Sequence, residues 1–232
     1  MKKSILSLFL TLIALTLLNS CVSFSSHQTA EVLKENETEW GEGFGYIKFD
    51  YDYTYEDENG QEKTKHNSFS VPYFPETIFR FGIAENMDAG IKLAGVIANI
   101  EGDIKYQLLQ LGNQASNFTL SVQPSISAIV LGPLSMQKYG LAVLASERIN
   151  SMLVFYGNIK YNFLNVNVDE SEANNDDEDV SDAFSDRHYY SITMGVSVEG
   201  KKFWLRPEAT VLLNSKFKKT LIVPAFGFGL KF

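Results

Sequence analysis

The residues with the most chemical potential in this chain are grouped by charge, not by any catalytic spacing. Residues 169–182 (DESEANNDDEDVSD) carry eight carboxylates and no base. Carboxylate oxygens suit hard divalent cations. The segment lacks the Asp-x-Asp-x-Asp-Gly spacing of a preformed cation loop, so it reads as a solvated surface loop. The three histidines, His27, His66 and His188, lie far apart, and the one cysteine is Cys21, so nothing here suggests a metal site. His66 and His188 have Ser68, Ser70, Ser185 and Asp186 nearby in sequence, but no spacing among them matches a nucleophile motif. Neither an enzymatic activity nor a cofactor is expected.

The acidic segment also accounts for the charge of the whole chain. The 232 residues hold 20 Lys and Arg against 28 Asp and Glu, a formal charge of −8. Eight of those acids are in residues 169–182, so elsewhere 20 bases face 20 acids. The body is therefore neutral and offers no electrostatic footprint for nucleic acid. A hydrophobic fraction of 45% excludes a disordered chain.

The elements that position these residues begin after an address. Met1-Lys2-Lys3 is a short basic start, and residues 5–18 (ILSLFLTLIALTLL) carry no charge. Fourteen residues are too few for a transmembrane helix and suit a signal-peptide core. The run ends in Leu18-Asn19-Ser20-Cys21, which resembles the lipobox of bacterial lipoproteins, with Asn19 departing from the usual small or β-branched residue. The resemblance implies cleavage before Cys21 and acylation of its thiol, with outer-membrane lipid as a partner. Several acyl chains anchor stably, at about 0.8 kcal/mol per buried CH₂. The expected organisation is a signal peptide over 1–20, a lipidated N-terminus and periplasmic tether over 21–42, and a β domain over 43–232.

From residue 43 onward, period-2 alternation recurs in segments of about nine to fourteen residues, and no helical apolar stripe runs through three turns. Ten strands are drawn: 44–55, 76–84, 88–97, 102–111, 117–130, 137–145, 151–164, 187–198, 202–213 and 220–232. Each has one face of large apolar residues and one of polar or small residues. The lengths fit the roughly 9–11 residues of a tilted membrane strand better than the 5–6 of a soluble one. The fold class is therefore all-β, an antiparallel up-and-down transmembrane barrel of about ten strands, with eight possible. Lys48, Asp50, Arg80, Lys92, Lys105, Lys160, Arg206 and Glu208 fall on the polar face and are expected to line a lumen. They would line a narrow pore or fill it by pairing. Trp40, Tyr53, Tyr55, Tyr73, Phe74, Trp204 and Phe232 suit interfacial girdles. Residues 56–75 and 169–186 are expected as long extracellular loops.

Phe226, Phe228, Leu230 and Phe232 form an alternating apolar series on the last strand. This resembles the C-terminal signature of bacterial outer-membrane barrels, which the barrel-assembly machinery recognises. Residues 80–93 (RFGIAENMDAGIKL) are similar to a hairpin common in small members of that superfamily, and Gly102–Tyr106 and Asn158–Tyr161 echo it. The resemblance implies location in the cell outer membrane, with both termini periplasmic and the acyl chains of Cys21 in the inner leaflet. It implies a structural, surface-interaction or narrow-pore role. A soluble lipocalin-like periplasmic lipoprotein holding a small apolar ligand is the alternative, and a lipid-modifying outer-membrane enzyme a third. A barrel of this kind should migrate faster on SDS gels unheated than boiled, whereas identical migration together with alkaline extraction from membranes rules out a transmembrane barrel.

Overall fold

The computed structural model describes residues 25–56, 62–94, 99–113, 115–131, 134–168, 188–213 and 221–232. Cys21 and the acidic segment 169–182 lie outside the described residues. Ten antiparallel strands close into one barrel: β1 Thr38–Glu56, β2 Glu62–Ala84, β3 Met87–Ala94, β4 Asn99–Gly112, β5 Asn117–Leu131, β6 Leu134–Arg148, β7 Leu153–Val168, β8 His188–Glu199, β9 Phe203–Leu213 and β10 Leu221–Lys231. Each strand pairs with its sequence neighbour, and β1 closes on β10 from Glu39↔Lys231 to Gly45↔Ala225. Closure removes both sheet edges, which a bilayer requires because lipid offers no partner to an unpaired backbone group.

Side-chain alternation runs opposite to that of a soluble barrel. Arg80 is 2% exposed, while its β2 neighbours Phe79 and Phe81 are 46% and 40% exposed. Ile91, Ile104, Ile126, Leu141, Phe155, Ile159 and Ile222 likewise point outward, beside buried Lys92, Lys105 and Asn158. Such an apolar exterior around a charged interior is stable only with lipid on the outside. The chain is therefore a bilayer-spanning barrel rather than a lipocalin-like one. Phe226, Phe228, Leu230 and Phe232 all belong to this outward face.

The turns at the end where β1 starts and β10 finishes are short: 85–86, 113–116, 149–152 and 200–202 separate the paired strands. Two are built by asparagine. Asn113 Oδ1 accepts from the amides of Ala115 and Ser116, and Asn150 Oδ1 from those of Met152 and Leu153.

The first hairpin departs from expectation. Residues 62–75 are strand, not loop, and continue a β1–β2 ladder up to Glu56↔Glu62. The ladder outruns the wall. β1 leaves β10 after Gly45, where the next β10 residue, Pro224, has no N–H to offer, and β2 pairs with β3 only from Glu76. Residues 46–56 and 62–75 thus form a two-stranded ribbon of about 35 Å at roughly 3.3 Å per residue. Residues 62–67 (EKTKHN) are polar throughout and show no apolar alternation, which is why the stretch reads as loop in the sequence. The ribbon also carries Lys48 and Asp50, paired with Ser70 and Ser68. Their side chains lie outside the described residues.

The seam between β1 and β10 is lined by glycine. Gly41 pairs with Gly229 and Gly43 with Gly227, and all four face inward. A Cβ on Gly41 would lie 2.2 Å from Cζ2 of Trp204, and one on Gly229 2.5 Å from the same ring. Trp204 is fully buried against this glycine wall, not in an interfacial girdle as expected. Gly41→Leu should destabilise the barrel by about 1–3 kcal/mol, the usual cost of overpacking. Gly102→Ala, where a Cβ meets nothing within 4 Å, should be neutral when both are measured by urea unfolding in detergent.

Candidate functional site: the lumen and its occupant

The interior wall carries charge on nearly every strand, organised in three groups. On β2–β4, Arg80 bonds Asp88 through Nη2 and reaches Asp103 at 2.8 Å, while Lys105 lies 3.3 Å from the other Asp88 oxygen. Towards the outer mouth, Lys138 on β6 and Lys160 on β7 converge on Glu101 of β4 at 2.7 and 2.6 Å, and Lys92 lies 4.0 Å from Glu76. At the inner end, Arg206 donates to Glu39 and Glu199. Glu199 also accepts from Arg148 and Lys231. Buried charge survives only when paired and hydrogen-bonded, and each of these groups spans two or more strands.

Residues 25–37 do not form a tether outside the barrel. They run through the lumen. Ser25, His27, Gln28, Thr29, Ala30 and Leu33 are all buried, and wall side chains hold them mainly by the backbone. Lys92 donates to the Ser25 carbonyl, Arg206 to that of His27, Lys105 to those of Thr29 and Glu31, and Ser121 to that of Ala30. Glu208 accepts from the amides of Ser26 and His27, at 2.6 and 2.7 Å, and Asp88 from that of Leu33. Side-chain contacts are fewer: Ser25 with Glu76, Gln28 with Gln123, and Glu31 with Arg148. The His27 ring fills the second half of the glycine seam, where a Cβ on Gly43 or Gly227 would meet it, and its Nδ1 lies 3.6 Å from Glu208.

The chain turns out of the lumen at Lys34–Glu37. Glu37 N–H donates to the Lys34 carbonyl, Asn36 N–H to the Gly82 carbonyl and Gly82 N–H to the Glu37 carbonyl. Asn36 takes φ 67° there, a left-handed geometry that asparagine tolerates. Strand one consequently starts at Thr38, five residues before the expected boundary.

Of the residues expected to line the lumen, Arg80, Lys92, Lys105, Lys160, Arg206 and Glu208 face inward and engage either partner carboxylates or the occupant. Sequence reasoning missed their partners Glu39, Glu76, Asp88, Glu101, Asp103, Lys138, Arg148 and Glu199. Strand parity was the available signal: Asp103 and Lys105 are two apart on β4, as are Arg206 and Glu208 on β9. Glu39 and Arg148 were hidden because they lay in a supposed tether and a supposed turn. His188 lies exposed, with Nδ1 against the Tyr161 hydroxyl. The side chains of His66, Ser68 and Ser70, and all of Ser185 and Asp186, lie outside the described residues.

The sequence matches no protein-family model and no curated protein sequence. Solved structures similar to it are outer-membrane barrels. The outer membrane protease OmpT from Escherichia coli is 10% identical, with 89% of this chain and 99% of that chain covered at a TM-score of 0.38. The outer membrane protein OprG from Pseudomonas aeruginosa is 11% identical, with 88% and 99% covered at 0.32. Ail, the attachment invasion locus protein of Yersinia pestis, is 10% identical, with 85% and 99% covered at 0.27. The assignment as an outer-membrane β-barrel rests on the chain's own closed ten-strand wall, apolar outside and charged inside.

Arg80→Met leaves Asp103 and half of Asp88 without a cation and should cost about 3–5 kcal/mol, as for a broken buried pair. Adding Asp103→Asn should recover more than half of that loss in the same unfolding measurement.

Proposed function

We propose that this chain is a lipid-anchored outer-membrane barrel that acts at the cell surface through its β1–β2 ribbon, with its lumen held shut by its own N-terminal segment. The observation that carries the closed state is the run of residues 25–33 through the lumen, bonded to β2, β3, β4, β5 and β9. A barrel interior of this size leaves little room beside its side chains, and an extended segment with a paired charge wall around it closes the path for ions. The ribbon supplies what the lumen does not. It continues past the end of the β1–β10 ladder, and its β1 sequence alternates Ile47, Phe49, Tyr51, Tyr53 and Tyr55 with polar residues. An aromatic row on a projecting ribbon suits contact with another surface.

Lipidation of Cys21 belongs to the same proposal, with a change of leaflet. Ser25 sits beside Glu76 and Lys92, near the outer end of β3, which stops at Ala94. From Glu76 to the inner end of β2 at Ala84 is eight residues, about 26 Å of strand. Four residues of fully extended chain span at most about 14 Å. Acyl chains on Cys21 therefore do not reach the inner leaflet while Ser25 keeps its seat. The outer mouth is within reach, and the anchor is assigned to the outer leaflet.

The mature chain in planar bilayers should carry less than a tenth of the conductance of a chain lacking residues 25–36; equal conductance removes the closed-lumen reading. Cys21→Ser should lose labelled palmitate. A protease site placed over residues 22–24 should be cut on intact cells, and cutting only after lysis returns the anchor to the inner leaflet.

A further inference from the structure

The lumen contacts described above go to the main chain of the occupant more than to its side chains. Five carbonyls (Ser25, His27, Thr29, Ala30, Glu31) accept from wall side chains, and three amides (Ser26, His27, Leu33) donate to wall carboxylates. Main-chain groups are common to every peptide, so a wall that reads them tolerates sequence, as in strand-addition modes of peptide recognition. The glycine niche at Gly43 and Gly227 takes a ring, while Ala30 packs with Ala142 and Leu144.

Two further observations show that the occupant is separable from the wall. The barrel closes through its own ladders, and residues 25–33 contribute no strand pairing to it. Two of the wall cations that hold the segment also hold wall carboxylates, Lys105 with Asp88 and Arg206 with Glu39 and Glu199, and Glu208 also accepts from the Tyr156 hydroxyl, so these groups keep partners when it leaves. The segment itself is strained: His27 has φ 48°, a left-handed backbone conformation that persists only under outside constraint.

From this we infer that the lumen is a receptor for an extended, polar peptide carrying one ring side chain and one carboxylate, read chiefly through its main chain, and that residues 25–33 are its resident, exchangeable occupant. The ligand class is the polar end or linker of another polypeptide, bound where Ser25–Leu33 now lies. This rests on the lumen reading proposed above, and the test separates the two.

A protease site is inserted in the exposed turn at Glu35–Asn36, and the folded barrel is nicked there in detergent, so folding precedes the cut. A fluorescent peptide of residues 25–35 is then added and its anisotropy followed. The labelled peptide is expected to exchange into the nicked barrel. A competitor that keeps His27 but permutes the Ser, Thr, Gln and Ala positions should compete within about threefold. A competitor N-methylated at Ser26, His27 and Leu33, which loses the three amide donors, should be at least tenfold weaker, since charge-assisted bonds are the strong ones. No exchange over a day, or a permuted peptide that fails while the N-methylated one competes, overturns the inference. In the intact chain with Cys21→Ser, Gln28→Cys and Gln123→Cys, reduction of the new disulfide should permit openings in planar bilayers that oxidation abolishes, and identical traces overturn exchangeability. A lumen that stays shut when nicked and without exchange overturns the receptor while leaving the closed-lumen reading standing.

Discussion

The guanidinium of Arg206 ties together parts of the molecule that no ladder joins directly. From β9 it reaches across the seam to Glu39 on β1, across β8 to Glu199 and Ser197, and inward to the carbonyl of His27, while its plane lies 4.2 Å from the Trp204 ring. A planar fork with several fixed donors can serve four directions at once, which a lysine cannot. In an interior without bulk water each of those contacts is individually strong, and leaving any donor unpaired is correspondingly expensive. Closure of the first strand on the last, the seat of the tryptophan and the path of the N-terminal segment all meet at this one group.

The same constraint explains why the interior tolerates so much charge. Each cation on one strand meets its carboxylates on others: Arg80 with Asp88 and Asp103, Lys138 and Lys160 with Glu101, Arg148 with Glu31 and Glu199. These pairs act across the barrel in the direction that ladders do not brace. The lumen is consequently a rigid polar core, and the peptide within it is held by groups that already have partners. The glycines at the seam perform the opposite service. By removing side chains at Gly41, Gly43, Gly227 and Gly229 they open the depth that Trp204 and His27 fill.

Much of the fold was legible in the residues because a bilayer reads strands one side at a time. On β9 and β10 every second residue must suit lipid, so the alternation of Phe203, Leu205, Phe226, Phe228 and Leu230 was unambiguous. The ribbon was legible only in its β1 half, because residues 62–67 are polar throughout and carry no period-2 pattern. The lumen set was legible in its parity but not in its pairings. Which carboxylate meets Lys160 depends on a chord across the barrel between β7 and β4, and sequence distance says nothing about chords.

Alternation by itself determined that this chain is all-β, that its strands are long enough to cross a bilayer, and which face of each strand is charged. That follows because side-chain direction has a period of two whatever the strand's neighbours are. Tertiary structure alone decided where residues 25–37 go. Mostly polar and without period, they carry no local signal, and their place is set mainly by carbonyls and amides that every residue possesses. It also decided that Trp204 faces a glycine wall instead of the interface and that Lys48 and Asp50 belong to a ribbon past the end of the β1–β10 ladder. Those outcomes depend on barrel closure and on the point where Pro224 ends the seam, and closure is a property of ten strands together rather than of any one of them.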